Sequence, residues 1–172
     1  MNFHEFLDIF ATNMGSLVAR KHKYFSEDVE SKKIINIVNS ISIDMPSING
    51  EGYYPVVVEY EGKKEEAAFS IDQWLGNEYP VIIYHHGAAE GSYDFSYKRI
   101  LGGKNKSEIK ANLIAIQAPH NHNNKEFLES IAYLSNYTFM LAASVAIIEN
   151  LISQLRGLGV KKIIVTGVSL GG

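Results

Sequence analysis

Three short apolar runs constrain the fold of this chain more than any other feature: "PVIIYHH", "ANLIAIQAP" and "KKIIVTG". Uninterrupted runs of this length are typical of strands that are buried on both faces, as in a parallel sheet covered by helices. A helix is predicted between the second and third runs, ending at Gly157 and Gly159. The apolar residues predicted to share one face of it are Leu141, Val145, Ile148, Ile152 and Leu155. We therefore predict an α/β fold with a mostly parallel sheet flanked by helices.

The first half of the chain predicts a helical segment followed by a β-hairpin. The apolar residues of the N-terminus recur at helical spacing: Phe3, Phe6, Leu7, Phe10, Met14, Leu17 and Val18. The stretch "IINIVNSISI" fits either a helix continued from Glu27 or a strand ending near Ile43, and the pattern does not decide between them. Residues 56–61 and 65–71 fit the two strands of a hairpin around Gly62 and Lys63.

Composition excludes several classes of protein. Of 172 residues, 46% are apolar and 20% are charged, which is ordinary for a globular chain with one core. The net charge is −3 and the Lys and Arg residues are scattered, so we expect no nucleic-acid partner. The chain has no cysteine for a disulfide or a thiolate metal site.

The sequence also predicts where in the cell the protein is located. The start "MNFHEFLDIF" is acidic where a signal peptide is basic, so we expect a cytoplasmic protein. The strongly apolar stretch at 139–148 is shorter than the about 20 residues that a membrane span needs, and it predicts a buried helix.

Residues suited to chemistry follow the three apolar runs. Loops after parallel strands share one edge of the sheet, where ligands bind in open α/β folds. The third run leads into Gly167, Ser169 and Gly171, a GxSxG pattern whose small residues permit a sharp turn from strand to helix around a strained serine. The alternative is a tight turn with an incidental serine. The first run leads into Gly87, where backbone N–H groups could stabilise negative charge on a carbonyl oxygen, or where the glycine simply makes a turn.

These motifs together resemble the α/β-hydrolase superfamily, in its serine esterase and acyl-hydrolase variety, over roughly residues 56–172. The resemblance implies that Ser169 is the nucleophile and that the N–H groups of Ala88 and Leu170 form the oxyanion hole. The residues that would support these loops are His86, Gly87, Gly167 and Gly171. The resemblance also implies a small acyl substrate, no cofactor and no metal. Residues 1–50 would form a helical extension, and residues 51–172 the first half of an incomplete hydrolase domain.

The family pattern also creates an expectation about catalysis. Its acid and histidine follow the serine in the chain, so both are expected beyond Gly172, and loss of the base costs about a million-fold in turnover. We therefore expect a truncated chain that is inactive alone and that self-associates through an exposed sheet edge. His120 and His122 could substitute as bases or bind a metal, but a polar loop is the favoured interpretation. The alternative functions are a non-catalytic interaction protein, or a peptidase or thioesterase of the same fold.

Overall fold

A computed structural model describes residues 32–88 and 105–172 of the chain. The predicted N-terminal amphipathic helix lies outside the described residues, as does most of the segment between the first two apolar runs. The strands are β1 (Ser42–Asp44), β2 (Gly52–Tyr60), β3 (Lys63–Gln73), β4 (Val81–His85), β5 (Asn112–Gln117) and β6 (Ile163–Gly167). The α-helices within the described residues are α1 (Ile34–Val38), α2 (Asn124–Ser130) and α3 (Leu134–Gly157).

The six strands form one mixed sheet in the order β1-β2-β3-β5-β4-β6. Strand β4 pairs in parallel with β5 and with β6, whereas the other three neighbouring pairs are antiparallel. The prediction of a mostly parallel sheet is therefore wrong. The physical reason is that β3 is paired along both of its edges. Residues 68–71 pair with β2 on one side, and the same stretch pairs antiparallel with β5 on the other, from Ala68↔Gln117 to Gln73↔Leu113. The three apolar runs are strands, as predicted, and all six residues of β5 are buried.

The hairpin of β2 and β3 is closed by a two-residue turn at Glu61 and Gly62, one residue earlier than predicted. Both residues have positive φ, 50° at Glu61 and 79° at Gly62. This is the combination that a type I′ turn requires, and its twist matches that of the flanking strands. The turn therefore sets the register of the longest antiparallel pair in the sheet, from Tyr60↔Lys63 to Gly52↔Ile71.

The ambiguous stretch "IINIVNSISI" forms both of the structures that its pattern allowed. It begins as the short helix α1 and, after a turn at Asn39 and Ser40, continues as β1. Ile37 of α1 is 3% exposed and belongs to the main hydrophobic core. Strand β1 pairs with β2 from Ser42↔Glu59 to Asp44↔Val57. Residues 34–44 are thus built into the same sheet and core as the hairpin.

Helix α3 covers the face of the sheet that carries the main core, and it ends in a Schellman motif. The N–H of Val160 donates to the carbonyl of Leu155 at 3.0 Å, and the N–H of Gly159 donates to that of Arg156 at 3.0 Å. Gly159 has a φ of 91°, which explains the glycine at this position. The helix therefore ends where the sequence predicts.

The buried face of α3 differs from the predicted one. Val145 is 41% exposed, and Leu141, Ile148 and Ile152 are only partly buried. The side chains of α3 that belong to the main core are Phe139, Ala142, Ala143, Ile147, Leu151 and Leu155. Small alanines can pack closely against a sheet, so helix α3 buries the face that carries Ala142 and Ala143. The face with regularly spaced large apolar residues is only partly buried.

Among the described residues, α3 is the one helix long and apolar enough to cross a membrane by length and composition. Of its most apolar window, 56% is buried inside the protein. Core helices pass the same test, so the property does not establish a span.

Candidate active site

The carboxyl ends of three strands meet at one edge of the sheet, where the order of the strands reverses. The chain passes from β4 to β5 on one side of β4 and returns to β6 on the other. His85 at the end of β4 is level with Ile116 of β5 and with Gly167 of β6. Ligands of open α/β sheets bind outside the carboxyl ends of the strands near such a reversal. The loops that carry the predicted site residues leave the sheet at this edge.

Ser169 lies on the turn that follows β6. Its φ is 55°, in the left-handed region that residues with a side chain seldom adopt, and the side chain is exposed. Val168 before it is extended, with a φ of −128°, and a single 3-10 turn runs from Ser169 to Gly171. Such backbone strain costs about 1–3 kcal/mol and is concentrated at functional sites. The serine is thus held outward by a backbone that it does not favour.

The two glycines of the motif are required by close backbone contacts. A Cβ at Gly167 would lie 1.8 Å from the carbonyl oxygen of Gly171 and 2.9 Å from that of His85. A Cβ at Gly171 would lie 2.3 Å from the carbonyl oxygen of His85 and 2.6 Å from its Nδ1. The serine turn is therefore folded back against the end of β4, and no larger residue fits at either position.

Backbone N–H groups are available at both predicted oxyanion positions. Within the described ranges, neither Ala88 nor Leu170 donates its N–H to a protein acceptor. The side chain of Leu170 packs against a small apolar cluster that contains Ala118 after β5, Phe127 of α2 and Met140 of α3. Leu170 is therefore anchored by its side chain while its N–H stays free to donate.

His86 orders the loop that leads to Ala88. Its side chain is 0% exposed, and its Nε2 accepts a hydrogen bond from the N–H of Ala118 at 3.4 Å. Asn121, 1% exposed, lies 3.3 Å from Nδ1 of His86 and donates to the carbonyl of Gly87 at 3.2 Å. Burial lowers the pKa of His86 to about 4, so the ring is neutral at neutral pH.

His85 is likewise committed to structural contacts. Its Nδ1 is 2.9 Å from the carbonyl oxygen of His86, and its Nε2 is 2.8 Å from the hydroxyl of Ser144 on α3. Burial lowers the pKa of His85 as well. Sequence reasoning missed both Ser144 and Asn121. The signal for Ser144 was a single serine inside the apolar run "FMLAASVAII", where a buried hydroxyl needs a partner.

The two histidines after β5 face other groups. His120 has a φ of 57°, its Nε2 is 3.9 Å from a carboxylate oxygen of Glu65, and its ring meets that of Phe139 edge-on. The Nδ1 of His122 lies 3.0 Å from both carboxylate oxygens of Glu126. In the part of the chain that the structure describes, no imidazole is hydrogen-bonded to Ser169.

A metal site has no counterpart in residues 32–88 and 105–172. No group of three His, Asp or Glu side chains there is arranged to hold a metal ion.

Comparison of the chain with known protein families, with curated proteins and with solved structures found no match. Any statement of function therefore depends on the geometry around Ser169.

Proposed function

We propose that this protein is a serine hydrolase that acts on carboxylic esters or related acyl compounds through an acyl-enzyme on Ser169. The observation that carries the proposal is the backbone of Ser169, with a φ of 55° on a turn directly after a strand, between two glycines that admit no Cβ. A turn of this kind presents a serine hydroxyl at the carboxyl edge of an α/β sheet. The exposure of Ser169 at that edge supports the same function.

The reaction has two steps. In the first, Oγ of Ser169 attacks the acyl carbon, a base takes the hydroxyl proton, and the alcohol leaves with a proton while the acyl group stays on the serine. In the second, water attacks the acyl-enzyme, which releases the acid and restores the hydroxyl. The free N–H groups of Ala88 and Leu170 would hydrogen-bond the oxyanion in both steps, and removal of one such donor typically costs about 10²–10³ in turnover.

The base is the part of the mechanism that the described contacts do not supply. His85 and His86 have their ring nitrogens in structural contacts. The resemblance to α/β-hydrolases places the acid and the histidine after the serine in the chain. We therefore propose that the proton of Ser169 is taken by a histidine other than these two.

The test is covalent labelling with a fluorophosphonate, read by peptide mass mapping in the presence and absence of added imidazole. We expect an adduct on Ser169, faster with imidazole because the free base can take the hydroxyl proton, and no adduct in Ser169→Ala. No adduct on Ser169 under either condition, including in a chain extended through any downstream coding sequence, would overturn the proposal. Aryl ester, thioester and anilide substrates then separate an esterase from a thioesterase and a peptidase.

A second candidate function, a non-catalytic interaction protein, is favoured by the exposed edge at β6. Strand β6 is the last strand of the described sheet, and Ile164, Val165 and Val168 are 41%, 48% and 40% exposed. An apolar edge with unpaired backbone groups is a template for strand addition. Light scattering of the wild type and of Val165→Lys tests this, because a charged edge residue should abolish self-association. Association that survives Val165→Lys would exclude this edge as the contact.

A further inference from the structure

Asn121 is a buried amide in the loop after β5, and the reaction proposed above gives it no role. Its side chain is 1% exposed. A buried amide needs hydrogen-bond partners, and one partner of Asn121 lies in a different loop. Its Nδ2 donates to the carbonyl oxygen of Gly87 at 3.2 Å, and Gly87, which follows β4, is itself buried. The hydrogen bond therefore ties the loop after β5 to the loop that contains the proposed oxyanion donor Ala88.

The carbonyl that Asn121 holds belongs to the same peptide unit as the N–H of Ala88. This unit is planar, and in the trans form its C=O and N–H point in opposite directions. No peptide bond within the described residues is cis. Because the Gly87 carbonyl points at a buried side chain, the N–H of Ala88 points away from it. In agreement, Ala88 is exposed and its N–H donates to no acceptor in the described parts of the chain.

The residue before Asn121 has a strained backbone. Among the described residues, three that are not glycine have a positive φ: Glu61, His120 and Ser169. Glu61 lies in the hairpin turn, whereas His120 and Ser169 lie in loops at the carboxyl edge of the sheet. A left-handed residue turns the chain sharply, so His120, with a φ of 57°, directs the chain back toward β4 at the point where Asn121 follows. Backbone strain of this kind is concentrated at functional sites.

We propose that Asn121 is a positioning residue, which holds the Gly87 carbonyl inside the protein and thereby directs the N–H of Ala88 outward as an oxyanion donor. The catalytic use of that N–H rests on the proposed hydrolase function, whereas its orientation does not. The two parts of the proposal therefore have separate tests, the first in the free protein and the second in the labelled protein.

Residual dipolar couplings measure the orientation of the Ala88 N–H bond in the free protein. Asn121→Asp keeps the shape of the side chain but has no N–H to donate, and Asn121→Leu has no polar group at all. In both variants we expect the coupling of Ala88 to change while the couplings of β4 and β5 stay as in the wild type. The matched control is Asn123→Asp, because the side chain of Asn123 only accepts, from the N–H of Glu126 at 3.0 Å, and aspartate accepts as well.

Two results would overturn this part of the proposal. An unchanged coupling of Ala88 in both Asn121 variants would show that another contact sets the orientation of the peptide unit. Couplings that change throughout β4 and β5 together with Ala88 would show that Asn121 only maintains the fold.

The second test uses the fluorophosphonate adduct on Ser169. In the wild-type adduct, the amide protons of Ala88 and Leu170 should both shift downfield, because each donates to the phosphoryl oxygen. In the Asn121 variants the shift of Ala88 should be lost and that of Leu170 kept. Labelling should slow by about tenfold or more, less than the about 10²–10³ that removal of a whole donor costs.

The adduct also separates a failure of this inference from a failure of the proposed function. A downfield shift of Ala88 that survives in the Asn121 variants, or a loss of both shifts together, would overturn the role of Asn121 while Ser169 is still labelled. If the wild type forms no adduct on Ser169, the proposed function and the catalytic use of Ala88 both fall. The dipolar couplings of the free protein then still decide whether Asn121 sets the orientation of the Ala88 N–H.

Discussion

Gly171 lies against the carbonyl oxygen of His85, so closely that a Cβ on Gly171 would be 2.3 Å from that oxygen. The contact joins the turn after β6 to the end of β4. It therefore couples the position of Ser169 to the strand that leads into Ala88. The proposed nucleophile and one proposed oxyanion donor are thus both positioned by the end of β4.

Gly171→Ala should damage the site and the fold together. The new methyl group meets backbone atoms, which cannot rotate away as a side chain can, so we expect a loss of about 1–3 kcal/mol in unfolding free energy. Labelling of Ser169 should fall at least a hundredfold. Gly157→Ala is the matched control, because its Cβ would meet nothing within 4 Å. Equal stability of the two variants in urea titrations would show that the turn is looser than described.

Ser169→Gly should be more stable than Ser169→Ala. Glycine adopts a φ of 55° without the steric cost that alanine and serine share, so the difference should be about 1 kcal/mol in favour of glycine. Neither variant should be labelled by the fluorophosphonate. Thermal unfolding of the pair at one pH is sufficient, and a more stable alanine variant would argue against the left-handed backbone.

Acid should destabilise the protein through His86. Its pKa is about 4 in the folded chain against 6.5 for an unperturbed histidine, so between these values the unfolded state binds a proton that the native state does not. The contribution of neutral His86 to the unfolding free energy is therefore fully present above pH 6.5. The unfolding free energy falls by about 3 kcal/mol as the pH drops to 4, at about 1.4 kcal/mol per pKa unit.

The variant His86→Gln isolates this effect. The substitution should remove most of the decrease in unfolding free energy between pH 6.5 and 4. A smaller decrease should remain because of His85, whose pKa is also lowered by burial. Urea titrations at several pH values measure it. An unchanged slope in the variant would mean that His86 is protonated in the native state.

Ser144→Ala should destabilise the junction between α3 and β4. The hydroxyl lies 2.8 Å from Nε2 of His85, and its loss leaves a buried ring nitrogen without a partner, at a cost of about 1–3 kcal/mol. Ser153→Ala, on the exposed side of the same helix, should change stability by less than about 0.5 kcal/mol. Similar losses in both variants would show that the effect does not come from the hydrogen bond to His85, since alanine favours the helix more than serine does.

Much of the fold was predictable because it depends on neighbours in the chain. The β2–β3 hairpin follows from a turn at Gly62 between two stretches with strand-like sequences, and β4, β5 and β6 from their own apolar runs. The antiparallel junction of β3 with β5 was not predictable, since it pairs residues about 40 to 50 positions apart and no local pattern records which strand edges meet. The prediction of a mostly parallel sheet failed at that junction.

The site divides in the same way. The positive φ of Ser169 and the small neighbours at Gly167 and Gly171 are local consequences of a sharp turn after a strand. The contacts of His85 with Ser144 and of His86 with Asn121 join separate elements, so they depend on the register of the whole sheet. A sequence pattern suggests that a buried serine or asparagine needs a partner, but it does not name one.

Strand β5 lies between two parts of the sheet that differ in the length of chain connecting their paired strands. On one side, the β2–β3 hairpin needs only a two-residue turn. On the other, β6 reaches β4 only after the long crossover through α3. Because loop closure must come before distant contacts contribute, the hairpin should form early in folding, with the pairing of β6 and the shaping of the Ser169 turn among the last events. The proposed nucleophile would then be set in place only once the rest of the sheet exists.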